Sequence, residues 1–299
     1  MTVPVLTLVE FADRPVPSAQ APLLVLGPSL GTSVTSLWSG MARRLAGDVR
    51  VLGWDLPGHG ASAPTGDPFT VAELAQGVLA AVDRYRAAAG TDIERPFFYA
   101  GCSIGGCVGQ QLLFDAPDRL RAIALLGTAA RVGEPGPWAE RARLVAAAGT
   151  PTQVVGSAQR WFAPGFIERD AVTTTELLHD LQDADRFSYA RACEALAAFD
   201  TRADLAAATV PVLAVVGAHD VATPPESAAD LAEATGGRLV VVQDAGHLVP
   251  AEAPQQVARL LDEHFGTQPS HDSQDPHASH GPHASHGPHA SHDPRGARA

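Results

Sequence analysis

Short apolar runs alternate with longer amphipathic segments along most of this chain. The apolar runs have the length of buried strands and occupy residues 23–26, 49–54, 97–102, 120–126, 212–217 and 239–242. Segments with helical spacing follow them, over about residues 37–45, 71–89 and 103–114 in the first half. Strands that alternate with helices predict an α/β fold, with a mostly parallel, doubly wound sheet and helices on both faces.

The strand pattern stops between residues 131 and 208. This interval is rich in Ala, Arg, Glu and Leu, and prolines interrupt it at positions 135, 137, 151 and 164. We interpret it as a helical cap inserted between two parts of one core, residues 1–130 and 209–265. The ligand crevice of a doubly wound sheet lies at the carboxyl ends of its strands. A cap inserted there is expected to cover the site.

The last segment, residues 266–299, has a different composition. The unit Pro-His-Ala-Ser-His-Gly begins at Pro276 and recurs at Pro282 and, with Asp for Gly, at Pro288. Such a segment has little apolar surface to bury, which predicts a disordered His- and Pro-rich tail. We interpret it as a low-complexity linker, and metal binding by its seven histidines is the alternative.

Composition excludes several classes of chemistry. The net charge of −12 argues against broad nucleic-acid binding, which needs a basic surface. All 21 basic residues are arginine, so a lysine Schiff base, a Ser–Lys dyad and a P-loop lysine are excluded. The sequence does not indicate an oligomeric state.

The location is expected to be cytoplasmic. The chain lacks an apolar run of eighteen residues, and its first residues do not have the pattern of a secretory signal. Its three cysteines, Cys102, Cys107 and Cys193, do not suggest a disulfide framework, and we expect reduced thiols.

A nucleophile motif follows the third apolar run. Gly101-Cys102-Ser103-Ile104-Gly105 has the Gly-x-Ser-x-Gly pattern, directly after a predicted strand and directly before a predicted helix. The turn is strained, and glycines two residues before and after the serine avoid a collision of side chains. This context makes Ser103 the candidate nucleophile.

A serine hydroxyl needs a base, and the base needs a group that orients it. His247 follows the last predicted strand. A serine motif between a strand and a helix takes its base from that place in the chain, so His247 is preferred to His59, His179 and His264. Asp220 follows the strand at residues 212–217 and is the candidate acid. Asp244 is the rival acid, and His219 is expected only to pack or to cap.

The developing oxyanion needs two N–H donors. The amide of Ile104, next to the nucleophile, is one candidate, and the amide of Leu30 in the loop Pro28-Ser29-Leu30-Gly31 is the other. The segment 55–62, Asp-Leu-Pro-Gly-His-Gly-Ala-Ser, has the composition of a tight turn and is assigned to structural support.

At these residues the chain resembles the α/β-hydrolase superfamily over roughly residues 3–265. The loop at residues 29–32, the segment 128–131 and the stretch 160–166, Arg-Trp-Phe-Ala-Pro-Gly-Phe, are similar to the 3-oxoadipate enol-lactonases of the β-ketoadipate pathway. The segment that starts at Tyr189 also fits this family.

The resemblance implies a serine hydrolase that opens a small lactone without a metal or an organic cofactor. Its substrate carries a carboxymethyl arm, for which Arg131 is the first candidate partner and Arg160 the next. Trp161 is the candidate wall of the pocket.

Other functions stay open at this stage. A carboxylesterase or a carbon–carbon bond hydrolase of the same fold would use the same three residues. A ligand-binding receptor on this fold is the non-enzyme alternative, and it would not need a competent triad.

Overall fold

In the computed structural model, residues 2–11, 17–18 and 20–267 are described. The predictions of disorder and of metal binding for the tail concern residues 268–299, which lie outside the described residues. Among the helices of the described part, none is both long and apolar enough to cross a membrane.

One sheet organises the described residues. Its strands, in chain order, are Leu8–Glu10 (β1), Leu23–Gly27 (β2), Arg50–Trp54 (β3), Phe97–Cys102 (β4), Leu120–Leu126 (β5), Val212–Gly217 (β6) and Arg238–Val242 (β7). The strand order is β1-β3-β2-β4-β5-β6-β7. β1 pairs antiparallel with β3, and every other neighbouring pair is parallel. The prediction of a mostly parallel α/β sheet is confirmed.

Burial along the strands follows their places in the sheet. Every residue of β2, β4 and β6 is buried, as expected for strands covered on both faces. The two edge strands, β1 and β7, are partly exposed. β1 was not predicted, because three residues with the sequence Leu-Val-Glu are too short to show a period.

Helices follow most of the strands. They are Val34–Ala42 (α1), Val71–Ala88 (α2), Ile104–Asp115 (α3), Pro135–Ala148 (α4), Val154–Trp161 (α5), Phe166–Arg169 (α6), Ala171–Asp183 (α7), Arg186–Ala198 (α8), Pro225–Thr235 (α9), Val249–Glu252 (α10) and Pro254–Phe265 (α11). Local sequence sets their ends. Thr70 and Glu73 form a capping box at α2, and glycines with positive φ, Gly236 and Gly266, end α9 and α11.

The five helices α4 to α8 lie between β5 and β6, in the interval interpreted as the cap. Two of the prolines fall where a helix begins or stops: Pro135 is the first residue of α4, and Pro164 lies between α5 and α6. α4 packs against α8. The backbone amide of Thr201 donates to the carbonyl of Ala130 at 2.9 Å, so the two ends of the insertion meet at its base.

Candidate active site

Ser103 lies at the turn between β4 and α3. Its φ of 54° makes it the one non-glycine residue with positive φ in the described part of the chain. The amide of Ser103 donates to the carbonyl of Leu126 on β5 at 2.9 Å, which holds the turn against the sheet. Backbone in this region is strained by about 1–3 kcal/mol, and such strain is typical of functional sites.

The two flanking glycines are required by crowding. A Cβ atom on Gly101 would collide with the carbonyl oxygen of Gly105. A Cβ atom on Gly105 would lie 2.6 Å from the Pro28 oxygen and 2.7 Å from the Gly27 carbonyl carbon. Both contacts are too short for any side chain. The motif is therefore explained by backbone packing around the serine.

The loop after β2 lies beside this turn. The amide of Gly105 donates to the carbonyl of Pro28 at 3.0 Å. Within the loop, the hydroxyl of Thr32 donates a hydrogen bond to the carbonyl of Ser29 at 3.1 Å. Neither the Leu30 amide nor the Ile104 amide has an acceptor among the described residues. Both amides thus remain candidate donors to a ligand.

His247 and Asp220 are in direct contact. The Nδ1 atom of His247 lies 2.9 Å from Oδ2 of Asp220, and both side chains are almost completely buried. The hydroxyl of Thr223 donates to the same carboxylate oxygen at 2.8 Å, while the amides of Ala222 and Thr223 donate to Oδ1. These bonds fix the position of the Asp220 carboxylate, which in turn holds Nδ1 of His247 and so sets the orientation of the imidazole ring.

These contacts also control ionisation. Burial alone would raise the pKa of the Asp220 carboxyl. The charge and hydrogen bond of His247, together with the donors of Thr223, outweigh burial and hold that pKa below its ordinary value. Asp220 therefore stays ionised and can stabilise a positive charge on His247.

The rival residues are placed elsewhere. Asp244 and His219 are exposed, and His179 is exposed on α7. His264 contacts the carbonyl of Ile123 through Nε2 at 3.0 Å. His59 is buried in the 55–62 segment, where its ring stacks on Tyr189.

The 55–62 segment has the supporting contacts expected of it. Asp55 accepts the amides of Val34 and Ala61 at 2.6 and 2.8 Å. Its own carbonyl accepts the hydroxyl of Ser62 at 2.8 Å. These bonds connect the turn after β3 to the start of α1.

A cavity of about 310 Å³ lies between the core and the cap. The core contributes Ser103, His247 and Leu30 to its lining, and the cap contributes Trp161. The structure therefore brings the candidate nucleophile, base, one oxyanion donor and the candidate wall to one space. The remaining lining residues are Ser29, Val132, Gly133, Glu134, Pro137, Trp138, Arg141, Ser157, Arg160, Tyr189, Val221 and Ala222.

Two arginines of the cap, Arg141 and Arg160, line this cavity. Arg141 lies on α4 over the ring of Trp138, and Arg160 lies on α5 beside Ser157. Burial, followed by the charge of Arg141, lowers the pKa of Arg160. Neither arginine forms an ion pair with a carboxylate of the described residues. The cavity therefore has positive charge that the described side chains do not balance.

Arg131 does not line the cavity, contrary to the expectation from sequence. Its guanidinium pairs with Glu134, and its charge also acts on Asp200. The reason is the path of the backbone after β5. Residues 128–130 are buried, and the bond between Ala130 and Thr201 fixes the chain just before Arg131. Of the two candidate arginines, Arg160 is the one that reaches the cavity.

The sequence analysis missed Arg141 and Tyr189 as cavity residues. Arg141 is one of several arginines in a helical segment without a distinctive motif, so no local signal marks it. Tyr189 was noticed only through the family resemblance. Both are placed by the packing of α4 against α8, which a single sequence does not reveal.

This fold and this arrangement define an α/β hydrolase. The sequence profile of the alpha/beta hydrolase family matches residues 24–260, and the chain belongs to that family. It is a hydrolase that acts on ester bonds.

Its relatives include enol-lactonases. The chain is 34% identical to 3-oxoadipate enol-lactonase 2 of Acinetobacter baylyi over 237 residues, which cover 79% of this chain and 86% of that protein. It is 29% identical to 3-oxoadipate enol-lactonase 1 of the same organism, over 81% of this chain and 87% of that one. The crystal structure of the enol-lactonase from Burkholderia xenovorans LB400 superimposes with a TM-score of 0.78 at 30% identity, covering 87% of this chain and 96% of that one. The resemblance inferred from sequence is confirmed.

Proposed function

We propose that this enzyme is a serine hydrolase that opens 3-oxoadipate enol-lactone to 3-oxoadipate, in the degradation of aromatic compounds through protocatechuate or catechol. The observation that carries the proposal is the composition of one cavity. Ser103 and His247 line it together with Arg141 and Arg160, whose charges suit an anionic ester. The similarity to 3-oxoadipate enol-lactonases supports this choice of substrate.

The first half of the reaction forms an acyl-enzyme. Oγ of Ser103 attacks the ring carbonyl while His247 takes its proton, and the amides of Leu30 and Ile104 stabilise the oxyanion. The carbonyl re-forms as the ring C–O bond breaks. The enol oxygen leaves with the bonding pair and receives the proton from His247, and the enol then relaxes to the ketone.

The second half releases the product. His247 removes a proton from water, which attacks the acyl carbon, and the bond to Oγ of Ser103 breaks as that oxygen regains its proton. Throughout, the ionised Asp220 keeps the imidazole oriented. The chain's own residues and water supply every group that these steps use.

The carboxymethyl arm of the lactone explains the two arginines. A carboxylate that leaves water needs a cation or several donors as partners. Arg141 and Arg160 enter the cavity from two different helices, so one anion can be held between them. Glu134 also lines the cavity, but Arg131 already neutralises it. The small volume, near the lower end of the range for ligand pockets, fits a compact lactone.

The test is a comparison of kcat/KM for the enol-lactone and for short-chain neutral aryl esters, with Ser103→Ala as the inactive control. We expect a clear preference for the lactone and a loss of about 10⁴-fold or more in the variant. A preference for neutral esters would favour a carboxylesterase, and turnover of a vinylogous diketone would favour a carbon–carbon bond hydrolase. Full biological activity of Ser103→Ala would favour the receptor alternative.

A cytoplasmic location is part of this proposal. Cys102, Cys107 and Cys193 are all buried and unpaired, as is typical of proteins in a reducing compartment.

A further inference from the structure

Glu252 is a buried carboxylate that the proposed reaction does not use. It ends α10, only five residues after His247, and is 7% exposed. Its Oε2 accepts the amide of Ala163 at 2.7 Å, and its Oε1 accepts the amide of Gly246 at 2.9 Å. One carboxylate thus joins the cap to the loop that carries the histidine.

The same two segments are also joined by a backbone carbonyl. The oxygen of Trp161 accepts the amide of His247 at 2.9 Å and that of Leu248 at 3.3 Å. Trp161 is a wall of the cavity, and His247 is its candidate base. Residues 161–163 and 246–248 therefore form one hydrogen-bonded unit, which we call the cap–histidine bridge.

We propose that Glu252, in its ionised form, is a positioning residue that keeps His247 and the Trp161 wall in fixed relation through the cap–histidine bridge. This inference rests on the proposed role of His247 as base. Both oxygens of the carboxylate accept an amide N–H. Protonation turns one oxygen into a hydroxyl, which is a much weaker acceptor, so one of the two bonds is weakened when Glu252 is protonated.

The surroundings make that protonation relevant near neutral pH. Burial raises the pKa of Glu252 to about 7. The backbone amides of Ala163, Gly246 and Leu248 and the charge of His247 act to lower this pKa, but they do not outweigh burial. A raised pKa means that the ionised form, which accepts both bonds, dominates above about 7 and is lost below it.

Among the described residues near Glu252, the charge of His247 acts on the pKa of this carboxyl near neutral pH. The Cys102 thiol is neutral there, because burial raises its pKa well above the ordinary value. α1, which packs on α10, and β6 carry no titratable side chain. On α11 the charged side chains are Arg259, Asp262, Glu263 and His264, and none of them contributes to the shift at Glu252.

The experiment follows the pH dependence of Ser103 phosphonylation by a fluorophosphonate, in which fluoride leaves, and of kcat/KM for a neutral aryl ester. Both readouts test the triad without the lactone. In the wild type, His247 must be deprotonated and activity also falls as Glu252 gains its proton, so the acid limb of the log plot should be clearly steeper than one over the pH range in which Glu252 titrates. Glu252→Gln should have a slope of about one and a plateau lowered on the order of tenfold to a hundredfold, as misplacement of a reacting group can produce.

Asp262→Asn is the matched control. Asp262 is also a buried carboxylate that accepts a backbone amide, that of Ala46 at 2.9 Å, but it has no contact with the cap–histidine bridge. We expect it to lose thermal stability and to keep the wild-type slope.

Two results would overturn the inference. One is a wild-type acid limb with a slope of about one, which needs no variant and no folding control. The other is a folded Glu252→Gln protein with the wild-type slope and plateau. An inactive Ser103→Ala protein beside either result would show that the serine mechanism stands while the role of Glu252 fails.

Discussion

The amide of Gly105 donates to the carbonyl of Pro28 at 3.0 Å, so the turn that carries Ser103 is tied directly to the loop that carries Leu30. Because Ile104 precedes Gly105, this bond sets the distance between the two amides proposed to hold the oxyanion. The carbonyl of Gly105 in turn accepts the buried Tyr99 hydroxyl at 2.8 Å. The backbone around the proposed oxyanion site is thus held by the core beneath it.

Gly105→Ala should separate these two donors. Its methyl group would lie 2.6 Å from the Pro28 oxygen, so the loop must move away. We expect kcat to fall by about 10²-fold or more, as on loss of one oxyanion donor. Gly136→Ala is the control, because a methyl there meets no atom within 4 Å. Comparable kcat values for the two variants would contradict the assignment of the oxyanion site.

The charge of the cavity can be tested with three arginines. Arg160→Ala and Arg141→Ala should each lower kcat/KM for the enol-lactone by about tenfold to a hundredfold, since a charge-assisted bond contributes roughly 1.5–3 kcal/mol. Neither should change turnover of a neutral aryl ester appreciably. Steady-state kinetics on both substrates separates recognition from chemistry.

Arg131→Ala is the matched control for that series. It removes an arginine from the start of the same cap that does not line the cavity itself, although its partner Glu134 does. We expect kcat/KM for the lactone to stay within a few-fold of wild type. A larger loss in Arg131→Ala than in Arg160→Ala would return the carboxylate partner to the position first expected from sequence.

Thr223 supports Asp220, the proposed acid of the triad. Thr223→Val removes the hydroxyl that donates to Oδ2 of Asp220 at 2.8 Å and keeps the backbone donors. Because a bond to a charged group is lost, we expect kcat to fall about tenfold. Thr174→Val is the control, since the buried Thr174 hydroxyl has no hydrogen-bond partner in the described structure. Equal kcat in both variants would exclude this role of Thr223.

Asp220 should also shape acid stability. Its folded pKa lies below the ordinary value of 3.8, so the ionised carboxylate stabilises the fold above that value. This contribution is lost as the pH falls through the folded pKa. Below about pH 4, the free energy of unfolding should therefore decrease more steeply in the wild type than in Asp220→Asn. Urea denaturation at a series of pH values measures it, and parallel curves would contradict the expectation.

Much of the fold could be predicted because its signals are local. The run at residues 97–102 is apolar because β4 is buried on both faces. The glycines on either side of Ser103 are required because a Cβ atom at either position would collide with neighbouring backbone. His247 and Asp220 could be proposed because each follows a predicted strand. Their contact at 2.9 Å needs the order of the strands, which one sequence does not give.

The cap residues could not be selected in this way. Arg131 and Arg141 are ten residues apart, and only tertiary packing decides that the second faces the cavity. Glu252 carried no signal either, because a glutamate two residues before Pro254 has the pattern of an ordinary surface residue ahead of a helix. Its burial depends on the cap segment that covers it, which is 89 residues away in the chain.

The strained backbone of Ser103 implies a trade-off between stability and activity. At a φ of 54°, glycine has no steric penalty, whereas serine does. A Ser103→Gly chain should therefore be more resistant to unfolding than the native enzyme while having no nucleophile. If so, natural selection has kept the less stable residue at this turn, and screens for thermostability alone would tend to remove the activity.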